Sequence, residues 1–198
     1  MMNLKEFTAR LPTYLKARGA ALAAVAALQL GALGYIVVDR LTLLRTGREI
    51  VLPIVPVDPR DLFKGDYVRL GFPISTIPAG AAIAEDFANG KPAFVTIEQQ
   101  PDDSWTVVRM TAKHPGKVAE KQVVLRARTA RNGPWSRGSN QVHFGIERYY
   151  VPEGKGGDLE RLAREKKLAA IVAVDASGNA AIKGLSSDGK HVYDEPLL

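Results

Sequence analysis

The chain has 198 residues, a net charge of +6, 46% hydrophobic residues and no cysteine. That hydrophobic fraction argues against wholesale disorder and leaves room for one domain with a real core. The missing thiols exclude disulfides, thiolate metal sites and cysteine nucleophiles.

Among the first 18 residues Lys5, Arg10, Lys16 and Arg18 are opposed only by Glu6. Residues 19–38 then carry no charge, and Gln29 is their one strongly polar side chain. About 20 such residues, rising 1.5 Å each as a helix, span a hydrocarbon core of about 30 Å. This predicts a basic cytoplasmic leader at 1–18, a transmembrane anchor helix at 19–38 and an extracytoplasmic domain at 39–198. Only Arg40, Arg45 and Arg48 follow the run closely, so the positive-inside rule favours an N-terminus in the cytoplasm. Ala32-Leu33-Gly34 resembles a leader-peptidase site, but the apolar run continues through Val38, beyond an ordinary signal-peptide core. Gly19, Ala23, Ala27 and Gly31 form a row of small residues, which a segment so rich in Ala and Gly produces by chance.

Beyond the anchor, β-branched and aromatic runs alternate with Gly, Pro and Asp clusters, which reads as strands joined by turns. Strands are expected at 49–57, 66–74, 93–99, 105–112, 122–130, 141–151, 169–174, 180–185 and 191–193. Turns are expected at Pro101–Ser104, Asp175–Gly178 and Ser187–Gly189. Asp158 is placed to cap a helix over 159–168, and 81–87 reads as a second short helix. The fold class is therefore mainly β: an N-terminal transmembrane helix, then one β-rich sandwich- or barrel-like domain with one or two short helices.

The most informative stretch runs from Val55 to Phe72. Asp58 and Pro59 suit the cap and first position of a helical turn, and Asp61 places negative charge among its free N–H groups. Gly65 suits the left-handed residue that would end that turn. In the strand that follows, Val68, Leu70 and Phe72 share one face and Tyr67 and Arg69 the other. Gly65, Asp66, Tyr67 and Leu70 resemble the motif of the GDYXXLXY family, with Phe72 in place of its final tyrosine. Val57 to Asp61 and Phe144 to Gly154 are also similar to that family. The resemblance implies a bacterial membrane-anchored protein with a domain outside the cytoplasm, often accompanying a polytopic membrane protein. It implies no particular reaction.

Asp58, Arg60, Asp61 and Asp66 in the first segment, and Glu147, Arg148 and Glu153 in the second, would form a polar cleft if folding brings the segments together, with Tyr67, Tyr149 and Tyr150 expected to pack as core or cross-strand neighbours. They serve equally well as caps, ion pairs and cross-strand neighbours. His114, His143 and His191 stand at no recognisable metal spacing, so no metal and no cofactor are expected. Gly154 to Gly157 lacks a complete phosphate-loop pattern. The basic residues are scattered apart from Arg126, Arg128 and Arg131, and no nucleic-acid partner is expected.

The resulting reading is a single-pass protein of the bacterial inner membrane, inserted through residues 19–38. Its periplasmic β-domain binds or scaffolds a partner, expected to be a polytopic membrane protein. The alternative is an envelope hydrolase using Asp66, Glu147 and Glu153. Behind that stands a serine–lysine peptidase, disfavoured because residues 39–69 contain no serine.

Overall fold

A computed structural model describes residues 13–55, 67–84, 87, 90–130, 141–150 and 156–194. The chain divides into two compact units, Met1–Leu41 and Thr42–Leu198. One long helix, α1 (Thr13–Thr46), runs through the first and ends in the second. It outlasts the predicted apolar run at both ends, because residues 39–46 still offer helix-forming Leu and Arg although they are no longer purely apolar. From Arg18 to Thr46 it is long and apolar enough to cross a membrane, and its most apolar stretch is wholly unburied. The amide of Gly47 closes it by donating to the Leu43 carbonyl at 2.9 Å.

The second unit is mainly β. A four-stranded antiparallel sheet has the order β1 (Arg48–Pro53), β9 (Leu168–Val174), β10 (Ala180–Ser187) and β11 (Lys190–Asp194). A five-stranded sheet has the order β3 (Ala82–Ile83), β5 (Trp105–Thr111), β4 (Pro92–Gln99), β6 (Gln122–Thr129) and β7 (Val142–His143). A separate ribbon pairs β2 (Tyr67–Arg69) with β8 (Arg148–Tyr150). A short helix, α2 (Gly156–Arg164), precedes β9.

Both large sheets feed one core. Leu52 from β1, Val95 and Ile97 from β4, Leu125 from β6, Val172 from β9 and Leu185 from β10 are all buried in it. Strand alternation decides which residues enter. β9 is apolar on both faces: Leu168, Ala170, Val172 and Val174 join the main core, while Ala173 joins Ala181 beneath Leu43 and Leu44 of the last helical turn. Two alanines leave the space that two leucines fill.

Several boundaries differ from expectation. The expected strand 66–74 stops at Arg69 and gives way to a 3-10 turn at Pro73–Ser75, although Leu70 and Phe72, expected on one face, are both buried. The expected strand 141–151 is split into β7 and β8 by a turn over Phe144–Glu147. The described residues of the expected helix at 81–87 are not helical: Ala82 and Ile83 instead pair parallel with β5. Asp158 lies inside α2 rather than before it, and α2 ends at Arg164 because Lys166 takes a left-handed φ of 57°. The expected turn over 58–65 lies outside the described residues.

Candidate functional site

The structure brings the two signature segments together. β2 and β8 run antiparallel with Tyr67 opposite Tyr150, Val68 opposite Tyr149 and Arg69 opposite Arg148. The pairing continues one step further, where the Leu70 amide donates to the Glu147 carbonyl at 2.9 Å. Tyr149 and Leu70 are buried, whereas Tyr150 is 72% exposed. Asp58, Arg60, Gly65, Asp66 and Glu153 lie outside the described residues.

Glu147 holds the turn between β7 and β8. Its carboxylate accepts from the amide of Phe144 at 2.5 Å and from that of Gly145 at 2.9 Å. Gly145 has a φ of +83°, which suits glycine and breaks the expected long strand. The turn lets the chain leave the five-stranded sheet after His143 and enter the ribbon at Arg148. His143 Nδ1 stands 4.0 Å from the same carboxylate.

Two hollows flank the loop that joins β5 to β6. This loop folds over the outward face of the five-stranded sheet. Its His114 ring meets Phe94 of β4 edge-on, with centroids 5.3 Å apart. His114 Nδ1 accepts from the Gly116 amide at 3.1 Å, and the Thr111 hydroxyl donates to the Lys113 carbonyl at 2.7 Å. The larger hollow, about 870 Å³, lies between this loop, the end of α1 and the β9–β10 turn, with Arg48, His114, Lys117 and Asp175 in its wall. The smaller, about 300 Å³, is lined by Thr96, Arg109, Lys117 and Gln122 among others. Lys117, Val118 and Gln122 line both.

A family model described as GDYXXLXY protein matches residues 29–185. The chain belongs to that family. No curated protein and no solved structure matches it. The matched region takes in the second half of α1, both signature strands and the hollows, so the GDYXXLXY unit is larger than the motif that gives the family its name.

None of the described signature residues lines either hollow. The residues that do, Thr96, Arg109, Lys117 and Gln122, have no motif. A faint signal existed in β4, where Phe94, Thr96 and Glu98 alternate with Val95 and Ile97 and so mark a second sheet face. Only the fold shows that a loop covers that face. Among the described residues no group of three or more His, Asp or Glu side chains could hold a metal ion. Displaced acidities fall elsewhere, on exposed turns. Hydrogen bonds from the Ser104 hydroxyl and amide hold the Asp102 carboxyl below its ordinary 3.8. Lys167 holds Glu165 below its ordinary 4.5, chiefly through a hydrogen bond, and is itself raised above 10.5.

Proposed function

We propose that this GDYXXLXY protein is a single-pass protein of the bacterial inner membrane, with its leader (1–18) cytoplasmic, α1 crossing through residues 19–38, and its β-domain (39–198) outside the cytoplasm. There the domain binds a membrane-protein partner through the signature ribbon. The observation that carries the reading is the character of α1. Leu28 is 75% exposed, and Leu22, Leu30 and Ile36 are exposed with it. A helix apolar all round belongs in a bilayer when no protein core covers it. The basic leader sets the direction. The choice of the ribbon rests on Tyr150, an exposed aromatic residue held by a strand pair, since rigid aromatic side chains commonly anchor interfaces.

The hydrolase alternative would draw on Glu147. Both oxygens of that carboxylate are taken up by amides of its own turn, so acid–base work would have to undo the turn.

The test has two parts. Alkaline phosphatase fused after Leu198 is active only outside the cytoplasm, and an inactive fusion that is nonetheless made in full overturns the orientation. A photo-crosslinking phenylalanine analogue in place of Tyr150, irradiated in intact cells, is expected to give one discrete adduct with a membrane protein. A protein that is folded and inserted yet yields no adduct from position 150 overturns the ribbon as the partner site.

A further inference from the structure

The smaller hollow beneath the β5–β6 loop brings together, independently of any partner at the ribbon, a buried hydroxyl and two exposed cations that make no hydrogen bond or ion pair among the described residues. Thr96 sits in the middle of β4, the central strand of its sheet. Val95 and Ile97 beside it enter the core, so Thr96 faces the other way, under the loop. It is 3% exposed, and its hydroxyl has no hydrogen-bond partner among the described residues. A buried polar group in that state is costly unless something fills the space beside it.

Arg109 on β5 stands directly opposite Thr96. The register shifts immediately afterwards, leaving Val108 as an extra residue in the strand. Bulges of this kind re-aim neighbouring side chains. On the other side of Arg109 is Ala82 of β3, too small to fill the space. Lys117 reaches the hollow from the loop, and Gln122 from the start of β6. Arg109 and Lys117 make no ion pair or hydrogen bond among the described residues, and no carboxylate there lines the hollow. The acid on the same face of β4, Glu98, already accepts from the Gln122 amide nitrogen at 2.6 Å. That bond uses one of the two amide hydrogens and leaves the other.

We propose that this hollow binds a phosphate group. Arg109 and Lys117 supply two positive charges, Thr96 donates from the floor, and Gln122 donates its remaining N–H. Arg109 and Lys117 are exposed at the mouth and are hydrated without a ligand, while the Thr96 hydroxyl lies buried beneath them; a phosphate monoester would match the two cations in charge and reach all three in acceptor number. The volume of about 300 Å³ is small for a ligand cavity and leaves room for only a short organic body beyond the phosphate. The phosphate comes from either of two sources, a soluble monoester or an acidic lipid headgroup.

The experiment uses the full chain in phosphatidylcholine vesicles, with its thermal midpoint followed by tryptophan fluorescence. Inorganic phosphate and glycerol phosphate are titrated against chloride at equal ionic strength. Phosphate is expected to raise the midpoint saturably, as a ligand of the folded state must. Arg109→Gln and Lys117→Gln should each weaken the apparent affinity about tenfold. Arg126→Gln, exposed outside the hollow, should respond as the natural chain does. Thr96→Val should raise the midpoint without phosphate, by removing the orphaned hydroxyl, and should blunt the response to phosphate. Phosphorus-31 line broadening measures binding separately should a variant fold poorly. Adding phosphatidic acid, whose headgroup is itself a phosphate monoester, separates the sources: a lost response to soluble phosphate assigns the site to a headgroup, and a retained one to a soluble monoester, the phosphate site standing in both cases. A response that does not saturate, or one that survives in Arg109→Gln and Lys117→Gln, overturns the proposal. So does a Thr96→Val chain that melts lower than the natural one without phosphate.

Discussion

The amide of Arg126 donates to the carbonyl of Gly178 at 2.7 Å, and this bond joins the two large sheets. Arg126 lies in β6 of the five-stranded sheet, and Gly178 lies in the turn between β9 and β10 of the four-stranded one. Asp175 shapes that turn by accepting from the amides of Ser177 and Asn179 at 2.9 and 2.8 Å, and from the Asn179 side chain at 2.8 Å. The sheets therefore share a backbone contact as well as a core.

Gly178 of the β9–β10 turn should be harder to replace than Gly189 of the β10–β11 turn. Its φ is +85°, and a Cβ there would stand 3.1 Å from the Arg126 nitrogen and 3.2 Å from the Val124 carbonyl oxygen. Gly189 also has a positive φ, +75°, but a Cβ would meet nothing within 4 Å. Alanine at 189 should cost about 1 kcal/mol, the conformational term alone. Alanine at 178 should cost more, because the approaching atoms are backbone and cannot step aside. Urea midpoints of a fragment beginning at Thr42 would show the difference, and equal losses would remove the sheet-to-sheet contact from the account.

Glu147→Gln should destabilise the same fragment by about 1 to 2 kcal/mol. The amide side chain offers one acceptor oxygen where the carboxylate offers two, so the Phe144 or the Gly145 amide loses its partner. Because the turn directs β8 to β2, the loss should also reach the ribbon. Hydrogen exchange at Leu70, whose amide bonds to the Glu147 carbonyl, should quicken more than exchange at Val95 in the core. A midpoint unchanged by the substitution would mean that the turn holds without its carboxylate.

Much of this architecture was legible in the residues. Strands β4, β5, β6 and β9 fall within a residue or so of the expected bounds, because alternating β-branched residues between turn formers specify strands locally. The failures have a common cause. The stretch 141–151 reads as one strand, and no local pattern shows that Glu147 folds back on two amides to divide it. Residues 81–87 resemble a helix start, and only pairing with distant β5 makes Ala82 and Ile83 extended. The hollows were illegible for the same reason. Thr96, Arg109 and Lys117 are ordinary residues in three separate segments, brought together by a bulge and a covering loop. The signature was legible as a motif, and its two halves do pair, but the motif carries no information about the chemistry beside it.

Acid should erode a small part of the stability in a definite window. Asp102 and Glu165 have folded acidities below their ordinary 3.8 and 4.5, so each contributes above that value and loses its contribution as pH falls through the folded one. Lys167, raised above 10.5, contributes below that value and loses it as pH rises further. All three are exposed, and solvent screens such pairs strongly. Glu165→Gln should therefore leave the urea midpoint near neutrality unmoved and flatten only the decline below 4.5. A neutral-pH loss as large as that of Glu147→Gln would show that the Glu165–Lys167 pair matters far more than its exposure allows.

The end of α1 should belong to the β-domain for stability as well as in sequence. Leu43 and Leu44 are 8% and 6% exposed, and they close over Ala173 and Ala181, which are fully buried. Gly47 permits the close approach: a Cβ there would stand 2.5 Å from the Leu43 carbonyl oxygen and 3.1 Å from the Ala173 side chain. A fragment starting at Gly47 would uncover the alanine face of β9 and β10, whereas one starting at Thr42 keeps it covered. The shorter fragment should be less stable by about 2 to 4 kcal/mol, and Leu44→Ala in the longer one by about 2, the low end for a leucine in a small satellite core. Gly47→Ala should mimic the truncation in part by pushing the last turn outward. Urea melts of the four fragments decide. If the fragment from Gly47 melts with the one from Thr42, the two leucines merely rest on the sheet, and the domain boundary belongs after the helix instead of within its last turn.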